Sequence, residues 1–228
     1  MHLTAELVAR TIRTEDDPGP GPGARLLMDS DFERLADNLL LELGDAPLWI
    51  FAYGSLLWKP VFEPMESRPA IAWGFHRSFC IPMTRWRGSP DAPGLMMGLQ
   101  PGGRCRGLAL RIADGDRRSQ LVDLLRREID THDCLDYVRW VQCRADGERM
   151  TALTFWVSPK GEFLSHEQSP EAVAAVLARA CGHIGSGADY LHRTVQHLDS
   201  LGIRDRNLWT LQRLVAEALL AEASGASG

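Results

Sequence analysis

The run Trp49-Ile50-Phe51-Ala52-Tyr53-Gly54-Ser55-Leu56-Leu57-Trp58 decides the fold. Trp49 to Phe51, with Leu48 before them, are apolar, aromatic or β-branched and predict a buried strand. The strand runs straight into Tyr53-Gly54-Ser55. There Gly54 frees the backbone, positive φ included, and leaves N–H groups for a ligand oxygen. A turn of that kind can cradle a carboxylate or a developing oxyanion. The same residues also fit an ordinary strand-to-loop turn.

Further strand-like runs follow at 70–81, 95–100, 104–112, 137–144 and 150–157, punctuated by Gly and Pro as in a small, partly closed barrel. A helix over about 117–130 interrupts them. Upstream, Ser30 and Glu33 have capping-box spacing. Phe32, Leu35, Ala36, Leu39, Leu40 and Leu43 make one apolar stripe, which Gly44 stops. Downstream, Ser169-Pro170-Glu171 opens a helix that Gly182 closes, and two more are predicted over 188–200 and 206–223. The prediction is an α+β chain: a small mixed β-barrel wrapped by helices, with a helical C-terminal third. Residues 1–28 read as a flexible appendage, because Asp17-Pro18-Gly19-Pro20-Gly21-Pro22-Gly23 suits neither helix nor sheet. Residues 29–223 read as a single domain and 224–228 as a disordered tail.

With 228 residues there is room for a sizeable core, and 45% hydrophobic with 24% charged residues is ordinary for a soluble globular protein. A net charge of −5 without a basic run argues against a nucleic-acid partner. No apolar stretch reaches the ~18 residues of a membrane span, and Met1-His2-Leu3-Thr4 does not open a secretory signal. Five scattered cysteines (Cys80, Cys105, Cys134, Cys143, Cys181) without a C-x-x-C pair argue against a disulfide framework or zinc knuckle and for a reducing cytoplasm.

In the helix over 117–130, residues 121, 124, 125 and 128 share a face. The first three are leucines and the fourth is Glu128. Arg126 and Arg127 read as a solvated rim. Burial and the negative end of the helix dipole both disfavour the ionised form of Glu128. A carboxylate so placed can serve as general base and then general acid near neutral pH. A glutamate that snorkels to solvent, or pairs with a buried arginine, fits the same pattern.

Other candidates carry less chemistry. His132-Asp133-Cys134 lacks a second cluster at metal-ligand spacing and reads as a polar loop. His183, His192 and His197 read as surface or boundary residues. No G-x-S-x-G elbow, Walker loop or G-x-G-x-x-G is present, against acyl-serine, NTPase and dinucleotide chemistry. Arg85-Trp86-Arg87-Gly88 fits a guanidinium clamp for a substrate carboxylate, or a solvated loop.

Taken in order, the motifs resemble the ChaC-like γ-glutamylcyclotransferases, in their glutathione-specific branch. The matching pieces are Trp49 to Trp58; Trp73-Gly74-Phe75-His76-Arg77-Ser78-Phe79-Cys80; Pro93-Gly94-Leu95-Met96-Met97-Gly98-Leu99; Gly103-Arg104-Cys105-Arg106-Gly107; Arg127-Glu128; and Gly185 to Leu191. They span about residues 48 to 215. The resemblance implies a barrel with flanking helices and Glu128 as acid/base. It implies a substrate cradle over Ile50, Phe51, Ala52, Tyr53, Gly54, Ser55 and Leu56, with Tyr137 and Tyr190 as further contacts. Arg85 and Arg87 are the candidates for a glycyl carboxylate. The chain departs from the family pattern in a longer stretch between Glu128 and Tyr137, and in Gly187, where the family often has Asn.

The implied reaction cleaves glutathione to 5-oxoproline and cysteinylglycine, the substrate's own α-amine attacking its γ-carbonyl. That chemistry calls for no enzyme nucleophile, metal or cofactor. The accompanying expectations are a small-molecule substrate, no nucleic-acid or membrane partner, a monomer or weak dimer, and a cytoplasmic location. A cyclotransferase of other γ-glutamyl amino acids or amines, or a non-catalytic regulator of cation transport on the same fold, would share these motifs.

Overall fold

The computed structural model describes residues 1–157 and 168–225. Its chain divides into two compact units. One comprises Pro22–Arg77 and the described residues of Leu99–Pro159; the other comprises Met1–Gly21, Ser78–Gly98 and the described residues of Lys160–Gly228.

The first unit is built on a closed five-stranded barrel in the order β1-β3-β2-β4-β5, with β1 Trp49–Ala52, β2 Glu66–Met83, β3 Gly94–Arg111, β4 Val138–Ala145 and β5 Glu148–Phe155. β2 and β3 run on into the second unit. β1 pairs antiparallel with β3, Phe51 opposite Ala109, and parallel with β5 through Ile50 and Leu153, which closes the barrel. The β4–β5 hairpin turns at Asp146-Gly147, both at positive φ (51° and 85°) as a two-residue primed turn requires. Phe51, Leu99, Cys105, Ala109, Val141, Cys143 and Ala152 fill the interior. The mixed barrel with flanking helices matches the expectation. The two strands expected at 95–100 and 104–112, however, are one. Gly102 and Gly103 hold φ of 106° and 73°, so they bend β3 without ending its pairing.

Helix α2 covers Asp29–Leu43 and ends at Gly44 (φ 65°). Its cap lies earlier than expected: Asp31, not Glu33, closes back, accepting from Met28 N at 2.8 Å, so Ser30 is already helical. α3 covers Arg117–Glu128 and buries Leu121, Val122, Leu124 and Leu125. Glu128 is its last residue, two positions before the expected end.

The second unit holds α1 Ala5–Ala9, α4 Pro170–Arg179, the small hairpin β6 Cys181–Gly182 and β7 Gly185–Ser186, α5 Gly187–Ser200 and α6 Arg206–Gly225. Ser169 Oγ caps α4 by accepting from Ala172 N at 3.2 Å. α4 stops at Arg179, short of the expected Gly182, because residues 181 onward pair as the hairpin.

Residues 1–28, expected as a mobile appendage, make specific contacts. Leu3, Leu7 and Val8 are buried, and Gln212 Oε1 accepts from both His2 N and Leu3 N (2.9 and 2.8 Å). In the barrel unit, Leu26 bridges Thr131. Apolar side chains at one end and backbone pairing at the other outweigh the Pro-Gly run between them. Of the expected 224–228 tail, residues 224 and 225 continue α6 and the rest lies outside the described residues.

All five cysteines are free. Burial pushes the thiols of Cys80 and Cys143 up to about 11. An alkylating reagent applied to the native protein near neutral pH is therefore expected to modify half-buried Cys134 and spare Cys80 and Cys143, read by peptide mass spectrometry. Modification of the buried pair at the rate of Cys134 would contradict the packing described.

Candidate active site

Strand β1 delivers the loop. Ile50, Phe51 and Ala52 are buried, as is Leu56, so their side chains pack within the protein and the backbone at the strand end is what a ligand can meet. Gly107 on β3 sets that end: a Cβ there would lie 2.2 Å from Ala52 O, so only glycine lets the two backbones approach. Gly107→Ala is expected to lower the thermal midpoint by several degrees, from a displacement costing roughly 1–3 kcal/mol. An unchanged midpoint would mean the approach is not close.

Tyr53 is fixed at both ends. Its hydroxyl donates to Phe155 O at 2.7 Å, and its carbonyl accepts from Arg77 Nε at 3.1 Å. Thr154 Oγ1 donates to Phe51 O at 3.0 Å. Arg77 is only 2% exposed and also donates through Nη2 to Arg106 O, so one buried guanidinium ties the loop to β3. Charge-assisted donors of this kind are stronger than neutral ones.

Gly54 stands at φ −126°, ψ −127°, so the expected positive φ is not adopted. A 3-10 turn, Ser55–Leu57, begins directly after it. Leu57 N donates to Gly54 O at 3.0 Å and Lys59 N to Ser55 O at 2.8 Å.

Glu128 ends α3 in the same unit. Its side chain is mostly buried, with 19% of its surface accessible. Burial raises its pKa, and the adjacent Arg127, with Nε 3.3 Å from Oε1, opposes that rise without cancelling it. Arg127 also donates through Nη1 to Lys59 O. It is therefore no solvated rim, unlike exposed Arg126, which pairs with Asp29 and Asp123. The path Glu128–Arg127–Lys59–Ser55 joins the carboxylate to the turn. Sequence reasoning missed the roles of Arg77 and Arg127, although both lie in motifs it singled out.

The other expected contacts are distributed more widely. Tyr137 lies in the barrel unit, its carbonyl accepting from Trp156 N at 2.8 Å. Arg85, Arg87 and Tyr190 lie in the second unit. Arg87 is buried, with Nη1 donating to Ser186 O (2.9 Å) and Asp189 Oδ2 (3.2 Å), and it stacks 5.0 Å above the Tyr190 ring. Its guanidinium thus holds this unit's own structure. Tyr190 packs edge-on against Phe79. His132, Asp133 and Cys134 diverge to Asp31, Arg25 and Thr131 respectively. Among the described residues no three His, Cys, Asp or Glu side chains converge as a metal site would need.

A small closed barrel whose first strand ends in a Tyr-Gly-Ser turn, with a desolvated glutamate tied to it, has the layout of a cyclotransferase fold. The chain belongs to the ChaC-like protein family, whose model matches residues 48–218. It is 35% identical over 189 residues to the glutathione-specific gamma-glutamylcyclotransferase of Escherichia coli K12, covering 82% of this chain and 80% of that one. It is 30% identical to gamma-glutamylcyclotransferase 2-3 of Arabidopsis thaliana, covering 75% and 90%. The crystal structure of the glutathione-specific enzyme from yeast has the same fold, with a TM-score of 0.67 at 20% identity over 76% of this chain and 97% of that one.

Proposed function

We propose that this protein is a glutathione-specific γ-glutamylcyclotransferase, releasing 5-oxoproline and cysteinylglycine. The observation that carries this is Glu128, a carboxylate of raised pKa joined through Arg127 and Lys59 to the Tyr53-Gly54-Ser55 turn, in a chain of the ChaC-like family. Glu128 takes a proton from the substrate's α-ammonium. The freed amine attacks the γ-carbonyl, forming the lactam C–N bond, while backbone N–H groups of the turn hold the developing oxyanion. The γ-amide C–N bond then breaks as Glu128 returns its proton to the departing cysteinyl amine, and the lactam nitrogen's remaining extra proton passes, directly or through water, to that amine, which leaves as an ammonium. The substrate supplies its own nucleophile, so the protein's main contribution is to hold it folded with the reacting atoms in reach.

In this reading the substrate-facing residues are Tyr53, Gly54, Ser55 and Tyr137, together with Glu128. The protein acts in the cytoplasm as a monomer or weak dimer without a nucleic-acid partner, in keeping with five free cysteines and a net charge of −5. No helix among the described residues is long and apolar enough to cross a membrane.

Purified protein incubated with a panel of γ-glutamyl compounds tests the reading by mass spectrometry. Glutathione is expected to yield 5-oxoproline, faster than γ-Glu-Cys by about 10- to 150-fold in kcat/KM if a charged pair reads the glycyl carboxylate. Equal rates would leave a cyclotransferase without glutathione specificity, and absence of 5-oxoproline would refute the function.

A further inference from the structure

Arg85, Trp86 and His183 in the second unit form a cluster that the mechanism above does not explain. Asp17, the first residue of the Pro-Gly run, supplies its carboxylate. Arg85 grips Asp17 with a two-pronged fork, Nε to Oδ1 and Nη2 to Oδ2, both at 2.6 Å. Gly19 N also donates to Oδ1, at 3.0 Å. The Arg85 guanidinium carbon lies over the Trp86 ring, 4.3 Å from its centroid, and Trp86 holds φ at 65°, a conformation that costs a side-chain-bearing residue energy and collects at ligand sites. The His183 ring packs 5.0 Å from Trp86. Its buried Nδ1 has no hydrogen-bond partner and sits 3.7 Å from Asp17 Oδ1.

The receiving side of this cluster is rigid. Ile184 N donates to Trp86 O at 3.0 Å, and a Cβ on Gly182 would lie 2.4 Å from the same oxygen. The donated side is lightly held. Nearly every residue from 12 to 26 is exposed, and Asp17 itself keeps 41% of its side-chain surface accessible. A fixed fork, an aromatic plate and an unpartnered imidazole nitrogen, met by a loosely tethered carboxylate, make a receptor filled by an internal stand-in.

We propose that Arg85, Trp86 and His183 form a binding site for a terminal carboxylate, which the strap at 13–21 keeps occupied with Asp17 until a ligand displaces it. The displacing group is the free α-carboxylate of a small peptide or N-acyl amino acid. The strap then sets the concentration at which that ligand fills the site, because a receptor occupied internally binds more weakly by the fraction left open.

Asp17→Asn in the full-length chain tests this, with N-acetylglycine as a non-reacting carboxylate probe followed by calorimetry. The substitution is expected to tighten probe binding about two- to fivefold, the range set by a partly exposed ion pair, and Arg85→Ala added to it to abolish binding. N-acetylglycinamide, which lacks the carboxylate, is expected to bind neither protein. Amide exchange at 13–21 should rise in Asp17→Asn without ligand. Equal probe affinity in the two proteins, or equal binding of the amide, would overturn the site. The probe arm needs no turnover, so a protein that fails to make 5-oxoproline refutes the functional reading and still decides the strap.

Discussion

Glu128→Gln is expected to lower turnover of glutathione by about 10²–10⁴-fold, the usual contribution of a positioned proton-transfer group. Gln keeps the size and hydrogen-bonding reach of Glu, so the fold persists and the loss reports the proton. Stability supplies a second, opposite reading from the same variant. Burial raises the folded-state pKa of Glu128 above its unfolded value, so the folded chain holds that proton more tightly. Stability is then lost as pH rises from the unfolded pKa through the folded one. Removing the ionisable group should therefore stabilise the fold at about pH 8 and cease to do so near about pH 4. A variant with near-normal turnover would remove Glu128 from the mechanism.

Arg77→Met is expected to cost about 2–5 kcal/mol of stability, because it removes a buried guanidinium and leaves the carbonyls of Tyr53 and Arg106 without the donor that Arg77 now supplies. Turnover should fall as well, since the Tyr53 carbonyl opens the substrate loop. Arg77→Lys keeps the charge but replaces a planar fork with a single point donor, so it should recover only part of either loss. Denaturant unfolding and initial rates on the same preparations separate the two effects. An unchanged unfolding midpoint in Arg77→Met would show that the guanidinium does not hold the loop.

What the sequence revealed, and what it hid, follows from the range of the forces involved. β1 and Glu128 were legible because each depends on local periodicity: an apolar run for the strand, and a carboxylate at the 121–124–125–128 face for the helix. Gly102 and Gly103 misled because glycine marks a bend and an end alike, and only pairing with β2 decides between them. Arg127 reads as a solvated rim and Arg77 only as part of a motif, since their carbonyl partners on Tyr53, Arg106 and Lys59 lie 24, 29 and 68 residues away. Asp17 was hidden for the same reason, meeting Arg85 across 68 residues of chain from inside a run that composition alone marks as linker.

The central claim is that the substrate's own amine, and not water, cleaves the γ-glutamyl bond. Glutathione turned over in water labelled with heavy oxygen tests it most directly. The account predicts 5-oxoproline and cysteinylglycine in equal amounts, with no label in the lactam carbonyl and none of the product lost in Glu128→Gln appearing elsewhere. Labelled free glutamate as the product would contradict it.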